Sequence, residues 1–268
     1  MSRSCSNTRV RNFLNKRRVN DELELYIIRH GQSTNNALPD DSQATRVNDA
    51  PLTDLGKRQA EALATYLATG ASRDPWTNPN TGYSQPLGSQ GIKFTHLYCS
   101  PMYRAMQTTF PVADALGMQP EIWVDVHENG GVYLDEAGKI TGFPGRTRAQ
   151  IAQEFPNYVI PDGVTESGWW NPQTGMESIS ACYGRAIKIA AELKRRAQDQ
   201  AEKSERIALI THGTFTDALI KALLNQLPNR SIYYLHYNTA ITRIDFEKDH
   251  MIVRYLNRVD HLSPDLIS

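Results

Sequence analysis

The chain has 268 residues, of which 40% are hydrophobic and 22% are charged, and its formal net charge at pH 7 is zero. This length can bury the core of one α/β domain that carries an insertion. No apolar run approaches the roughly 20 residues of a transmembrane helix, so we expect a soluble protein that spans no membrane.

The N-terminal charge and the cysteines bear on the compartment of the protein. Residues 1–21 are predicted to be a basic arm, with an organellar transit peptide as the alternative, because they lack the apolar segment of a secretory signal. Its six basic residues within the first twenty positions are Arg3, Arg9, Arg11, Lys16, Arg17 and Arg18. The three cysteines are widely spaced and form no disulfide framework, which favours a reducing, cytoplasmic location.

Hydrophobic patterning then predicts strands that alternate with helices. The apolar run from Leu23 predicts a buried strand that ends at Arg29-His30-Gly31. Thr53 is a predicted N-cap of an amphipathic helix over 54–69, which Gly70 closes, and residues 70–91 have the composition of a surface loop. The next predicted elements are a strand over 93–99, a helix over 102–116 and a strand over 121–127.

Residues 129–175 interrupt this alternation. They are rich in Gly and Pro, with one short helical stretch near 147–154, so we predict an insertion that arches over the sheet as a cap. The remaining predicted elements are a helix over 177–203, a strand over 207–211, a helix over 215–226 and a hairpin of strands 241–246 and 251–256. Together they predict one α/β domain over residues 22–268, a three-layer α/β/α structure with a mainly parallel sheet.

Charged and imidazole side chains follow the predicted strand ends, where ligands bind in open α/β sheets. They are Arg29, His30, Arg104, Glu128 and His212. Arginine cannot bind a metal ion, but its guanidinium matches the oxygens of phosphate. The set therefore predicts an oxyanion site with neither a metal nor a cofactor. Clustered arginines disfavour a protonated imidazole, so His30 should be neutral near pH 7.

Other catalytic patterns fit the sequence poorly. His127 and the acid after it begin a zinc-protease pattern, but Gly131 stands where the second histidine is required. Strand alternation directs His127 away from the acid, so we predict a structural histidine. Cys99 precedes Arg104 by five positions instead of the six of thiol phosphatases, and Pro101 removes an amide donor, so Cys99 is predicted to be a small buried residue. The glycine-rich phosphate loops of nucleotide-binding proteins do not occur.

The site residues resemble those of the histidine phosphatase superfamily, the phosphoglycerate-mutase-like proteins. The likeness covers roughly residues 22–260 apart from the insertion. It rests on four ordered motifs, which are Arg29-His30-Gly31 with Ser33 and Asn36, Pro51-Leu52-Thr53-x-x-Gly56, Ser100-Pro101-x-x-Arg104-Ala105, and His212-Gly213. The resemblance implies a phosphoglycerate-mutase-like fold and a phosphohistidine intermediate.

The resemblance also implies a role for each site residue. His30 would be the nucleophile, and Glu128 would protonate the leaving oxygen and then activate the water that hydrolyses phosphohistidine. The residues implied around the phosphate are Arg29, Asn36, Arg104 and His212. We add Gln32, Ser33 and Gly213 to the predicted phosphate-binding set, since amides after Gly213 at a helix N-terminus favour an anion.

The insertion is predicted to select the substrate. It supplies rings and guanidiniums beyond those that one phosphate needs, namely Tyr133, Arg146, Arg148, Trp169 and Trp170. We predict that Arg146 and Arg148 bind a second anionic or hydroxyl-rich part of a small phosphorylated metabolite. In the alternative, the tryptophans anchor the cap and the arginines pair with acids such as Asp135, Glu136 and Glu154.

Hydrolysis is favoured over a mutase reaction. Mutases of this family usually carry Phe-x-Gly-Trp after the first motif and an arginine directly after the catalytic glutamate. Here the segment is Arg46-Val47-Asn48-Asp49-Ala50-Pro51, and Asn129 follows Glu128. A second alternative is a catalytically weak family member that serves as a binding module. The expected partner is a small phosphorylated substrate, neither nucleic acid nor a membrane, and a homodimer is left open.

Overall fold

The computed structural model describes residues 23–39, 46–70, 91–199, 204–247 and 250–268. The predicted N-terminal arm and nearly all of the loop predicted over 70–91 lie outside these residues. The division of the chain into an arm, a domain and a cap stays a prediction. None of the described helices has both the length and the apolar character to cross a membrane.

The described residues form eight strands and five α-helices. The strands are β1 (Leu23–Arg29), β2 (His96–Cys99), β3 (Glu121–Ile122), β4 (Tyr133–Glu136), β5 (Lys139–Gly142), β6 (Glu205–Thr211), β7 (Ile241–Glu247) and β8 (His250–Arg258). The helices are α1 (Asp54–Thr69), α2 (Tyr103–Leu116), α3 (Arg148–Glu154), α4 (Ile179–Asp199) and α5 (Gly213–Leu223).

Six strands form the central sheet in the order β3-β2-β6-β1-β7-β8. The first four are parallel, and the C-terminal hairpin β7–β8 adds antiparallel strands at one edge. Alternate side chains of β1 enter different cores, since Tyr26 and Ile28 pack with residues of α1 and α2, whereas Leu25 and Ile27 pack with residues of α4 and α5. The predicted three-layer α/β fold is confirmed.

The third strand is shorter than the prediction over 121–127, which is wrong beyond Ile122. Residues Val124–Val126 form a 3₁₀ turn, so His127 does not lie on a strand. The partner strand sets this length, because β2 ends at Cys99, whose carbonyl accepts a hydrogen bond from the Trp123 N–H at 2.9 Å. After Cys99 the chain leaves the sheet and enters α2, so it offers no further backbone groups for pairing with β3.

Local signals predicted α1 correctly. Thr53 Oγ1 accepts from the Gly56 N–H, and Gly70 ends the helix in the left-handed conformation with φ 70°. Helix α5 begins at Gly213, two residues before the prediction, because extended His212 is its N-cap.

The predicted cap, residues 129–175, contains the predicted helix α3 and also a hairpin of β4 and β5 that was not predicted. Its turn needs positive φ at both Ala137 and Gly138.

Candidate active site

A cavity of about 360 Å³ lies beyond the carboxyl ends of β1, β2 and β6. The predicted residues in its wall are Arg29, His30, Ser33, Asn36, Arg104, Glu128 and, from the insertion, Tyr133. The parallel register of β1 and β6 pairs Arg29 with Thr211, so the two histidines that follow lie side by side. The ring centroids of His30 and His212 are 5.0 Å apart. The strand-end motifs therefore meet at one place.

Hydrogen-bond partners define the protonation of His30. Its Nδ1 lies 2.6 Å from the Gly31 carbonyl, which can only accept, and its Nε2 lies 3.0 Å from Arg104 Nε, which can only donate. Both partners assign the proton to Nδ1 and the lone pair to Nε2. Burial, and then the charges of Arg104 and Arg29, lower the pKa of His30 well below its usual value. A neutral imidazole with its lone pair on Nε2 results.

Backbone contacts fix the position of His30. Its N–H donates to the Thr211 carbonyl at 2.9 Å, and its carbonyl accepts from the Asn238 side-chain amide at 2.9 Å. The next residue must be glycine, because a Cβ at Gly31 would lie 2.6 Å from the Gly56 carbonyl oxygen. His30 is thus held by β6, by the segment before β7 and by the entry to α1.

Two buried nitrogens beside His30, Arg29 Nε and His212 Nδ1, have no hydrogen-bond partner among the described residues. Arg29 Nη1 donates to the His236 carbonyl at 2.5 Å, which anchors one side of the guanidinium. An oxyanion is the kind of acceptor that would satisfy Arg29 Nε. No group of three or more His, Cys, Asp or Glu in the described part of the chain could hold a metal ion.

Ser100 orients His212. Its Oγ lies 2.7 Å from His212 Nε2 and also accepts from the Met102 N–H at 3.2 Å. The hydroxyl hydrogen of Ser100 is then available to Nε2. This favours the tautomer of His212 with its proton on Nδ1, where the proton can be donated to a ligand. Burial, followed by the charge of Arg104, lowers the pKa of His212 well below its usual value. His212 is therefore a neutral donor.

The Glu128 carboxylate lies at the N-terminus of α5. Oε1 accepts from the N–H groups of Asn129 and Phe215 at 2.8 and 2.9 Å, and Oε2 accepts from the Thr214 N–H at 3.1 Å. A helix N-terminus stabilises an anion, and here that anion is Glu128. The amides after Gly213, predicted to favour phosphate, bind this carboxylate in the structure. Gly213 itself lies beside Arg29, since an added Cβ would be 3.5 Å from Arg29 Nε.

The other predicted phosphate ligands, which lie in the loop after β1, have different surroundings. Ser33 donates from its N–H and its hydroxyl to Asn36 Oδ1 at 3.2 and 3.0 Å, which leaves the Asn36 NH₂ group as a donor toward a ligand. Gln32 is not in the cavity wall. Its Oε1 accepts from Thr53 Oγ1 at 2.8 Å and its N–H donates to Gln59 Oε1 at 2.8 Å. Gln32 therefore ties the loop to α1.

The two predicted cap arginines have different surroundings. Arg148 donates to the carbonyls of three cap residues, Ile160, Pro161 and Val164, at 2.7 to 3.0 Å. It lies in the wall of neither cavity described here. Arg146 lines a second cavity of about 340 Å³, where it pairs with Glu154 at 2.7 Å. The structure thus brings Arg146 near the site and leaves Arg148 within the cap.

Trp169 and Trp170 anchor the cap. Their ring centroids lie 5.3 and 5.2 Å from that of His127. A Cβ at Gly145 would meet Trp169 at 2.3 Å, and one at Gly131 would meet Trp170 at 2.4 Å, so both rings pack tightly on glycine backbone. His127 is buried in this packing, and burial lowers its pKa to about 4. This arrangement agrees with the structural interpretation of His127.

Several residues of the site carried no motif in the sequence. Arg46 and Asp135 add a cation and an anion to the cavity wall. Asn238 and the His236 carbonyl hold His30 and Arg29 from the segment before β7. Among these residues, only Arg46 had a signal in the sequence, which was its basic charge near the first motif. The contacts from 236 and 238 cross more than 200 positions and leave no local pattern.

Comparison with known proteins places this fold and site in a family. The model of the histidine phosphatase superfamily (branch 1) matches residues 25–79 and 88–259. Similar solved structures include phosphoserine phosphatase from Entamoeba histolytica in complex with 3-phosphoglyceric acid, with 21% identity, a TM-score of 0.54, and coverage of 90% of this chain and 100% of that chain. Mycobacterial glucosyl-3-phosphoglycerate phosphatase has 19% identity, a TM-score of 0.51, and coverage of 88% of this chain and 99% of that chain.

At these identities the two structures show a common fold, not a common substrate. No curated protein sequence matches this chain significantly. The family match, by contrast, spans most of the chain and includes the strand ends that carry both histidines. The chain therefore belongs to the histidine phosphatase superfamily, branch 1, as a histidine-dependent phosphatase.

Proposed function

We propose that the protein is a metal-independent phosphomonoesterase that acts on a small phosphorylated metabolite through a phosphohistidine on His30. The observation that carries this proposal is the lone pair of His30 Nε2, which the Gly31 carbonyl and Arg104 Nε both select. Arg29 Nε and His212 Nδ1, unpartnered among the described residues, add donors for phosphate oxygens beside that nitrogen. A nucleophile surrounded by oxyanion donors suits phosphoryl transfer.

In the first step, Arg104 Nε exchanges its bond to His30 for a bond to a phosphate oxygen, which frees the Nε2 lone pair. Nε2 attacks phosphorus, the P–O ester bond breaks, and the leaving oxygen takes a proton from Glu128. In the second step, water attacks phosphohistidine and gives its proton to Glu128, and the N–P bond breaks to release phosphate.

The proposal is tested by trapping the intermediate. The enzyme is acid- or base-quenched during turnover of a radiolabelled phosphomonoester, with a chelator present throughout. Phosphohistidine should be stable in base and lost in acid, and it should be absent from His30→Ala. An acid-stable ester on serine, or activity that returns only with a divalent ion, would contradict this mechanism.

Binding-module behaviour is the competing function. The neutral His30 and its donor-rich surroundings argue for turnover, because a module that only binds phosphate gains nothing from a free Nε2 lone pair. Failure of the wild-type protein to release phosphate from any ester would favour the module.

A further inference from the structure

The second cavity lies beside the catalytic cavity, and Asn48 belongs to the walls of both. Its volume of about 340 Å³ falls within the range of small-molecule sites, roughly 300 to 1,000 Å³. The loop before α1 and the cap both contribute to it. Its wall also contains Asp49, Phe143, Arg146 and Gln150.

Asp49 is the anion of this cavity. Its Oδ1 accepts from the Tyr103 N–H at 3.0 Å, at the first residue of α2. Its Oδ2 is buried and has no hydrogen-bond partner in the described parts of the chain. A buried carboxylate oxygen without a donor costs free energy, so a hydroxyl that approaches it would be bound favourably. Burial raises the pKa of Asp49, and the charge of Arg104 opposes this rise.

Arg146 supplies fixed donors. Its guanidinium carbon lies 3.5 Å from the centroid of the Tyr103 ring, and Nη1 lies 2.7 Å from Glu154 Oε2. The Tyr103 hydroxyl donates to the other oxygen of Glu154 at 2.5 Å, which completes a preorganised set. Gln150 Oε1 accepts from the Thr147 N–H, so the Gln150 NH₂ group is left as a second donor.

We propose that the second cavity binds an uncharged, polyhydroxylated part of the leaving group, such as a sugar ring, while the phosphate lies against His30. This inference rests on the proposed phosphomonoesterase function. Asp49 offers an acceptor, Arg146 and Gln150 offer donors, and Phe143 offers an apolar face, which is the combination that a sugar requires. A second anion is disfavoured, because the wall carries the Asp49 carboxylate, and the one guanidinium in the wall, that of Arg146, is already paired with Glu154.

The test compares two variants on two kinds of ester. Asp49→Asn keeps an oxygen that can accept from the Tyr103 N–H but replaces the other carboxylate oxygen with an NH₂ group. Arg146→Gln removes the guanidinium. We expect each to lower kcat/KM about tenfold, mainly through KM, on the best of ribose 5-phosphate, glucose 6-phosphate and fructose 6-phosphate. On 4-nitrophenyl phosphate the loss should stay below about threefold. Asp162→Asn is the matched control, since Asp162 is an exposed acid of the insertion outside both cavities.

Several results would overturn the inference. Equal losses on the sugar and aryl esters, no loss on either, or a wild-type preference for 3-phosphoglycerate over every sugar phosphate would each exclude a polyol subsite. If the wild type hydrolyses no ester, the proposed function fails and calorimetry of glucose 6-phosphate binding decides the inference. Affinity should then fall about tenfold in Asp49→Asn but not in Asp162→Asn. Equal affinity in all three proteins would reject the subsite.

Discussion

Arg104 has two consecutive tasks at the scale of single residues. Without substrate its Nε donates to His30 Nε2 and holds the imidazole ring in one orientation. In the proposed mechanism the same atom leaves that bond for a phosphate oxygen before Nε2 attacks. Nε2 is thus hydrogen-bonded to Arg104 until a phosphate enters the cavity, which limits unproductive reactions of a neutral imidazole.

In the proposed mechanism Glu128 gives a proton to the leaving oxygen and later takes one from water. Three backbone N–H groups donate to its carboxylate, two of them from the first turn of α5. These bonds hold the carboxylate in one position for both proton transfers. The transfer to the leaving oxygen matters most for esters with a poor leaving group.

Replacement of Glu128 should therefore affect esters according to their leaving groups. In Glu128→Gln we expect kcat/KM to fall by about 10² to 10⁴ on a sugar phosphate, whose alkoxide needs a proton, and far less on 4-nitrophenyl phosphate. The measurement is kcat/KM on both esters, with burst kinetics to separate formation from hydrolysis of phosphohistidine. Equal losses on both esters would assign Glu128 a structural task.

The structure brings His30, Arg104 and His212 together because each belongs to a compact motif after a strand, whereas Glu128 follows the 3₁₀ turn Val124–Val126. The sequence did not predict what Glu128 binds, since its bonds to Thr214 and Phe215 span 86 and 87 positions. It also grouped Gln32 with the phosphate ligands, although its side chain bonds Thr53 instead. Motifs thus identify chemistry, whereas the partners of each side chain depend on tertiary packing.

At the scale of elements, boundaries set by local capping were predicted correctly, whereas boundaries set by pairing with a distant strand were not. Helix α1 begins after Thr53 and ends before Gly70 because its cap bonds are local. Strand β3 is limited by the length of β2, which lies far away in sequence. The hairpin β4–β5 went unpredicted because its strands are short and mostly exposed, so they show no hydrophobic alternation.

The cap depends on Arg148 for its internal structure. Its three hydrogen bonds to carbonyls join α3 to the segment around 160–164. Arg148→Ala should lower the free energy of unfolding by about 1 to 3 kcal/mol, because it leaves the partly buried carbonyls of Ile160 and Val164 without this donor. Urea denaturation measures this loss, and kcat/KM should change equally on sugar and aryl esters. A loss confined to the sugar ester would instead restore the predicted substrate contact.

At the scale of the whole molecule, five of the seven histidines are buried. They are His30, His127, His212, His236 and His261. Burial is the main cause that lowers the pKa of each one in the folded state. His30 and His212 therefore belong to a larger set of buried histidines whose pKa values are lowered in the folded state.

This set should make the protein sensitive to mild acid. Below the unfolded pKa of about 6.5 the unfolded chain binds protons that the folded chain does not, so stability falls as pH decreases, by up to about 1.4 kcal/mol per pH unit for each histidine. His261 isolates one contribution, because burial lowers its pKa to about 3 and its ring bonds Thr239 Oγ1, away from the reacting atoms. When the pH is lowered from about 7.5 to 5, the free energy of unfolding of His261→Gln should decrease by about 2 kcal/mol less than that of the wild type. Urea denaturation at both pH values measures the difference, and a constant m-value shows that the same transition is followed. An unchanged pH dependence would mean that His261 accepts a proton in the folded state, contrary to its burial.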